Sequence, residues 1–484
     1  MSGKNLKDRT VKGVGWTAVD SVLRYGVSFV VGIILARLLT PDDYGLIGIL
    51  TIFIVIFNYI IDGGLVNALI RKQNAQDTDY STVFYTNLVL SVLMAGVIYS
   101  CAGIIADFFE RTELVNLTRV MSVVVIINAF SLVQKARLTK AINFKTQTKV
   151  SFIASISSGV VGIIMAYYGY GVWSLVGQQL SNAGMTAIGL WIVNRWIPKL
   201  QFSVKSFKEM WSYGWKLLVS GILNSLSGQL HHVVIGKCFA PATLGQYTRA
   251  HQFGALFSNN LTTIIQRVTF PVLSEIQNDP IRLKNAYKRV IRITVFPTFV
   301  MMMCLAACAK PLLLTLIGEK WIDATYYLQI ISFSMMLYPL HALNLIAIQI
   351  TGRSDLTLRI NIIKNLLMII PVSVGILTNI YWMLVAEVIR GYICYYLNAY
   401  YTKYVIDYSI WEQVNDILPS IRIALTIALP MYALSFIPLN SFILLSIQIA
   451  FGIILFFYIC ERTKKMEYVE LREIVLKITK KVNR

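Results

Sequence analysis

Apolar runs longer than about 18 residues recur along nearly the whole of this 484-residue chain. In hydrocarbon every backbone N–H and C=O of such a run must be satisfied within the segment, which leaves the helix as the spanning element for a run of this kind. Reading the runs between charged or turn-rich breaks predicts about fourteen transmembrane helices of roughly 20 residues each. They fall near 13–36, 44–66, 82–106, 115–136, 150–168, 172–194, 212–238, 244–268, 291–309, 326–350, 358–378, 381–402, 418–437 and 441–460. Hydrophobic residues make up 56% of the chain and charged residues 14%, against roughly 25% charged in a soluble domain. A water-soluble fold could not hide that much apolar surface, so the expectation is an all-α integral membrane protein.

The formal charge of +20 would suggest nucleic acid in a soluble protein, but here the basic residues cluster in alternate short connections. One set of loops holds Arg71, Lys72, Lys135, Arg137, Lys140, Arg195, Arg282, Lys284, Arg353 and Lys403, whereas the opposite set holds Arg37, Arg111, Lys237, Lys310 and Lys320. Basic residues resist translocation, so this asymmetry predicts that both termini are cytoplasmic, with a basic cytoplasmic tail over 462–484 and no nucleic-acid partner. The first apolar run follows Lys4, Lys7, Arg9 and Lys12 and passes the length of a signal-peptide core without a cleavage site, so it is expected to be retained. All connections on the opposite side are short and leave no room for a soluble-type catalytic domain. Six cysteines lie in or beside apolar runs, and the Cys304–Cys308 spacing reads as two small buried residues rather than a metal site.

The chain repeats itself. Gly15-Trp16 is matched by Gly214-Trp215, and Pro41-x-x-x-Gly45 by Pro241-x-x-x-Gly245, at offsets of 199 and 200 residues. Two markers in one register predict a six-helix lobe over 1–200, a second over 201–405, and an additional helix pair over 406–461. Because six is even, the lobes are related by an axis along the membrane normal, with a cavity between them.

Four stretches carry a resemblance: LARLLTPDDYGLIGI (Leu35 to Ile49), DGGLVNALIRK (Asp62 to Lys72), STVFYTNL (Ser81 to Leu88) and RVTFPVLSEIQNDPIRLKNAYKR (Arg267 to Arg289). In these the chain resembles the Wzx-type polysaccharide flippases of the multidrug/oligosaccharidyl-lipid/polysaccharide (MOP) superfamily. The resemblance implies a V-shaped, MATE-like two-lobe bundle that works by alternating access in a bacterial inner membrane. It further implies an undecaprenyl-diphosphate-linked oligosaccharide as cargo, with membrane lipids and polysaccharide polymerase or assembly proteins as partners. No resident cofactor is expected; with no ATP-binding motif present, the drive is an ion gradient of H+ or Na+, the cargo gradient, or both.

An anionic diphosphate crossing oil requires cations in a polar cleft, so arginines within spans are the first candidates for substrate binding: Arg24, Arg249 and Arg390. Asp20 lies one turn from Arg24 and Glu387 three residues from Arg390, which leaves both an intrahelical ion pair and a cavity-facing charge open. Arg249 has no acidic residue within four positions. Asp62 before Gly63-Gly64 is a coupling or gating candidate, or a helix-end cap; His231 and His232 are proton-coupling candidates, or hydrogen-bonded interior histidines. Lys216, Lys237, Arg292 and Lys364, near helix ends, read as snorkelling side chains. Asp77-Thr78-Asp79 reads as a helix cap rather than a metal-binding motif. Other carriers of the superfamily, namely a peptidoglycan-precursor flippase or a cation-coupled multidrug antiporter, are the near alternatives. A membrane polymerase or ligase lacks the outer domain it would need, and a transport protein rather than an enzyme is the expectation.

Overall fold

The ends of the helices show why the apolar runs stop where they do. Helix α2, Pro41–Asp62, opens with proline at its first position behind a capping box: the Asp43 N–H donates to Thr40 Oγ1 (3.3 Å) and the Thr40 N–H to Asp43 Oδ2 (2.9 Å). It ends at Gly63, in the left-handed region at φ 55°, followed by Gly64 at φ 67°. Helix α17, Ile410–Leu434, carries the same device in Ser409 and Glu412. At the start of α4, Asp77–Ser100, Asp79 accepts the Gln76 N–H at 2.9 Å, so the Asp77-Thr78-Asp79 stretch is a cap.

The computed structural model describes residues 26–463, 465, 467–470 and 472, with only the backbone of 259–261, 263–265, 267, 268, 271 and 354. Among these residues regular structure is helical throughout, without strands. Besides α2, α4 and α17, the first half holds α1 (Gly26–Leu38), α3 (Leu65–Arg71), α5 (Ala102–Phe109), α6 (Leu114–Lys140), α7 (Phe144–Tyr167), α8 (Trp173–Asn194) and α9 (Val204–Cys238). Then come α10 (Pro241–Glu275), α11 (Pro280–Ile317), a 3-10 turn (Glu319–Trp321), α12 (Ile322–Met335), α13 (Tyr338–Ile350), α14 (Ser354–Leu367), α15 (Ile369–Leu377), α16 (Ile380–Ile406) and α18 (Ser441–Thr463).

Nine of the fourteen expected ranges are occupied, among the described residues, by helical stretches long and apolar enough to cross a membrane. The other five ranges hold α1 and the more polar α8, α9, α10 and α16. Those last four carry Asn182, His231, Arg249 and Arg390, the kind of residue that a spanning helix keeps away from lipid. Two single expected spans are each broken in two. Pro339 has no N–H to give the Met335 carbonyl, and α12 stops there; the Ser258 hydroxyl donates to that freed oxygen at 2.6 Å. Pro371 similarly follows the break between α14 and α15.

The chain divides into two compact units, Met1–Gly245 and Gln246–Arg484. In the first, the two copies of the P-x-x-x-G motif meet. A Cβ at Gly45 would lie 1.9 Å from the Pro241 carbonyl oxygen, and one at Gly245 would lie 1.9 Å from that of Pro41. The contact is reciprocal and requires glycine on both sides. A turn beyond the end of α2, a Cβ at Gly64 would lie 2.3 Å from the oxygen of Gly214, the glycine of the other repeat marker. Ion pairs hold α9 at both ends, Lys237 to Glu110 (2.7 Å) and Glu209 to Lys72 (2.9 Å). The Lys237 ammonium keeps the Glu110 carboxyl below its ordinary value.

The core of this unit is built from α3, α4, α6 and α9 around Leu65, Leu69, Phe84, Val133 and Met210. Phe84 stands edge-on to Phe130, Trp191 and Trp196. The S-T-V-F motif beside it is a clasp: Ser81 Oγ accepts the Lys199 N–H and Thr82 Oγ1 the Ser203 N–H, both at 3.1 Å, fixing the link from α8 to α9. In the second unit a polar network replaces part of the apolar core. Asn344, fully buried, accepts from Tyr287 Oη (2.8 Å) and Thr402 Oγ1 (3.1 Å) and donates to Gln413 Oε1 (3.3 Å), which also accepts from Tyr395 Oη (3.1 Å). This joins α11, α13, α16 and α17. Tyr408 Oη donates to Asp416 at 2.7 Å and Arg292 pairs with the same carboxylate, so Arg292 is a strut between helices. All six cysteines are free.

Candidate functional site: cations and amides within the spans

Helix α16 is apolar over most of its length, and a charge inside it must find compensation. Arg390 takes it from one turn back: its Nε donates to Glu387 Oε2 at 2.6 Å and its Nη2 to Glu387 Oε1, a bidentate pair. Each side chain of the pair is about four-fifths buried. The remaining Nη1 reaches α14, donating to the Lys364 carbonyl at 3.4 Å, and lies 3.8 Å from Cys394 Sγ. Lys364 itself is half-buried, its backbone carbonyl is the one that Arg390 reaches, and its ammonium makes no ion pair among the described residues. Among the described residues, two cations and one carboxylate leave this cluster one positive charge in excess. The expected neutral pair is present, and a lysine from another helix unbalances it.

Arg249 sits in the first turns of α10. Its side chain is 8% exposed, Nη1 donates to Gln252 Oε1 at 2.9 Å, and its guanidinium carbon lies 6.0 Å from the centre of the Trp321 ring. Gln246, one turn earlier, pins α10 by donating to the Lys320 carbonyl (2.7 Å) and accepting the Ala324 N–H (3.0 Å). Arg249 thus lies against the 3-10 turn, and Arg390 reaches α14. Arg24 and Asp20 lie outside the described residues.

Asp62 is the last residue of α2 and half-buried, and α3 begins behind Gly64 without a side-chain cap. Its Oδ1 is buried and has no hydrogen-bond partner among the described residues. On α9, His231 is buried and His232 half-buried. Among the end-of-helix cations, Lys237 and Arg292 bind carboxylates across helices, as above.

A second polar feature lies in the first unit, a cavity of about 330 Å³ lined by Asn128 of α6, Ser155 and Ser158 of α7, and Gln178, Gln179 and Asn182 of α8. None of these was singled out from the sequence. The available signal was three amides within five positions of an apolar span, with Gln178 and Asn182 four apart on one helical face. Lys364 carried a weaker signal still, since only tertiary contact brings it to Arg390.

A family model described as "Polysaccharide biosynthesis protein" matches residues 34–326, more than half of the chain. The succinoglycan biosynthesis transport protein ExoT of Rhizobium meliloti (strain 1021) is 26% identical over 323 residues, which cover 67% of this chain and 65%, just under two thirds, of ExoT. The lipopolysaccharide biosynthesis protein WzxC of Escherichia coli (strain K12) is 23% identical over 77% of this chain and 76% of its own. A solved structure of the lipid II flippase MurJ in an inward closed conformation aligns with a TM-score of 0.74 at 14% identity, over 96% of this chain and 100% of that one, which establishes the fold. The Wzx-type resemblance and the all-helical membrane fold expected from the sequence are therefore borne out, and the chain belongs to the polysaccharide biosynthesis protein family.

Proposed function

We propose that this chain is a flippase for an undecaprenyl-diphosphate-linked oligosaccharide, the repeat unit of an O-antigen, capsule or exopolysaccharide. It moves the cargo from the inner to the outer leaflet of a bacterial cytoplasmic membrane by alternating access of two six-helix lobes, 1–200 and 201–405, with a helix pair over 406–461. Both termini and the basic tail over 462–484 are cytoplasmic in this reading. The observation that carries it is the positive excess at Lys364 and Arg390 among apolar helices. A cation there serves an anionic head group that must shed water, whereas a cationic drug would call for an excess of carboxylates. The family, and the likeness to ExoT, a transport protein by name, support transport over catalysis.

In this mechanism the diphosphate is met by ammonium and guanidinium donors, the sugar is held by uncharged polar groups, and the lipid tail stays in the bilayer. Asp62, His231 and His232 are the groups proposed for H+ or Na+ coupling and gating. The test is reconstitution into proteoliposomes with a fluorescently labelled undecaprenyl-diphosphate oligosaccharide and an imposed proton or sodium gradient. Protein-dependent transfer between leaflets, faster under one of the two gradients, is the expected result. No transfer under any gradient would overturn the reading.

A further inference from the structure

The cavity in the first unit combines three properties. It lies among spanning helices, its walls are dense in hydrogen-bonding groups, and among the described residues no charged side chain lines it. Helix α7 makes the space by offering glycines to its neighbours: a Cβ at Gly159 would lie 2.5 Å from Val31 of α1, and one at Gly162 would lie 3.1 Å from the side chain of Gln178 of α8. The glycines thus seat Val31 and the stem of Gln178, both lining residues, directly on α7.

Hydrogen-bond supply exceeds demand there. Asn182 Nδ2 donates to Ser158 Oγ at 3.1 Å, Ser158 Oγ donates to the Ser155 carbonyl at 3.2 Å, and Asn128 Nδ2 donates to Asn58 Oδ1 at 3.4 Å. The side chains of Gln178 and Gln179 make no hydrogen bond among the described residues. Each neutral amide offers two donors and an acceptor. An acyl chain gains nothing from such a wall, and among the described residues it offers a cation no carboxylate and an anion no cation. What matches is a neutral molecule bristling with hydroxyls, each both donor and acceptor, of a size suited to a cavity at the small end of the roughly 300–1,000 Å³ range of ligand sites.

We propose that this cavity binds an uncharged sugar residue of the cargo and selects it over a uronate. The proposal rests on the flippase reading and deepens it by naming the class of sugar that the first unit accepts. A carboxylate entering the cavity would lose its hydration with no cation among the described lining residues to replace it, which disfavours acidic sugars at this position.

The test uses the full chain in lipid nanodiscs and three ligands: undecaprenyl diphosphate, the same lipid bearing a neutral hexose oligosaccharide, and the same bearing a glucuronate-containing one. Wild type is expected to bind the neutral glycolipid at least about tenfold more tightly than the bare diphosphate, the gain of a few good hydrogen bonds. Asn182→Ala and Gln179→Ala each remove most of that gain and leave undecaprenyl diphosphate binding unchanged; the uronate lipid binds no better than the bare one. Thermal unfolding of each variant separates misfolding from a binding defect, and Gln179, without a hydrogen-bonded neighbour among the described residues, is the safer probe. Equal losses for all three lipids in folded variants, no loss for any, or a preference for the uronate lipid would overturn the assignment. So would sodium-specific stabilisation of wild type that Asn182→Ala abolishes with no effect on glycolipid binding, since that marks a cation site. Failure of wild type to bind any of the three lipids would instead bring down the flippase reading on which it stands.

Discussion

Asn344 shows what a single residue does in the second unit. It is fully buried and bonds to three partners, Tyr287, Thr402 and Gln413. Leucine has the same branched shape but leaves Tyr287 Oη without its acceptor, while Gln413 keeps Tyr395 and Thr402 keeps the Asn398 carbonyl, a cost of about 1–3 kcal/mol for one buried polar group. Asn344→Leu is therefore expected to lower stability by that amount in denaturant unfolding in detergent, and Tyr287→Phe by less; an unchanged midpoint for Asn344→Leu would mean that the network carries no stability. Arg390 illustrates the limit of reading residues one at a time. Its pairing with Glu387 was legible from the i,i+3 spacing, but Lys364 lies 26 positions away, so the charge excess appears only once α14 and α16 pack together. Similarly, Ser155, Ser158 and Asn182 are ordinary members of ordinary spans until α7 and α8 bring them to one cavity.

At the level of elements, spacing explains most of what the structure contains. Proline at the first helical position and glycine one turn later recur at 41–45 and 241–245, and the two copies pack against each other through bare backbone. Gly45→Ala puts a methyl group where the Pro241 carbonyl sits, so it is expected to destabilise by about 1–3 kcal/mol through overpacking. Gly96→Ala in α4, where a Cβ meets nothing within 4 Å, is expected to be neutral or to stabilise by about 0.4–1 kcal/mol. Thermal unfolding of the two variants side by side measures this, and equal effects would refute the packing argument. Apolar runs were enough to locate the helices, because a run without water has few backbone options. Pro339 and Pro371 mark the breaks at 336–337 and 368 within those runs, but the Ser258 hydroxyl that takes up the freed Met335 carbonyl lies too far along the chain to be read from it. The clasp role of Ser81 and Thr82 was equally invisible, since their partners lie in the link from α8 to α9.

Across the whole molecule, the account places chemistry on the helices that are least apolar. α8 carries amides, α10 an arginine, and α16 a charged pair with a lysine beside it on α14. Membrane insertion disfavours such residues by about 2.5–3.5 kcal/mol for each charge at mid-span, so their retention calls for a use. The use proposed is a substitute for water around a diphosphate head group. That claim is tested most directly by measuring the affinity of the full chain in nanodiscs for undecaprenyl diphosphate as a function of ionic strength, in wild type, Lys364→Gln and Glu387→Gln. The account predicts opposite signs: Lys364→Gln weakens binding by about tenfold, Glu387→Gln strengthens it, and both differences shrink as salt screens the charges. Binding that is the same in all three proteins, or changes in the same direction for both substitutions, would contradict it.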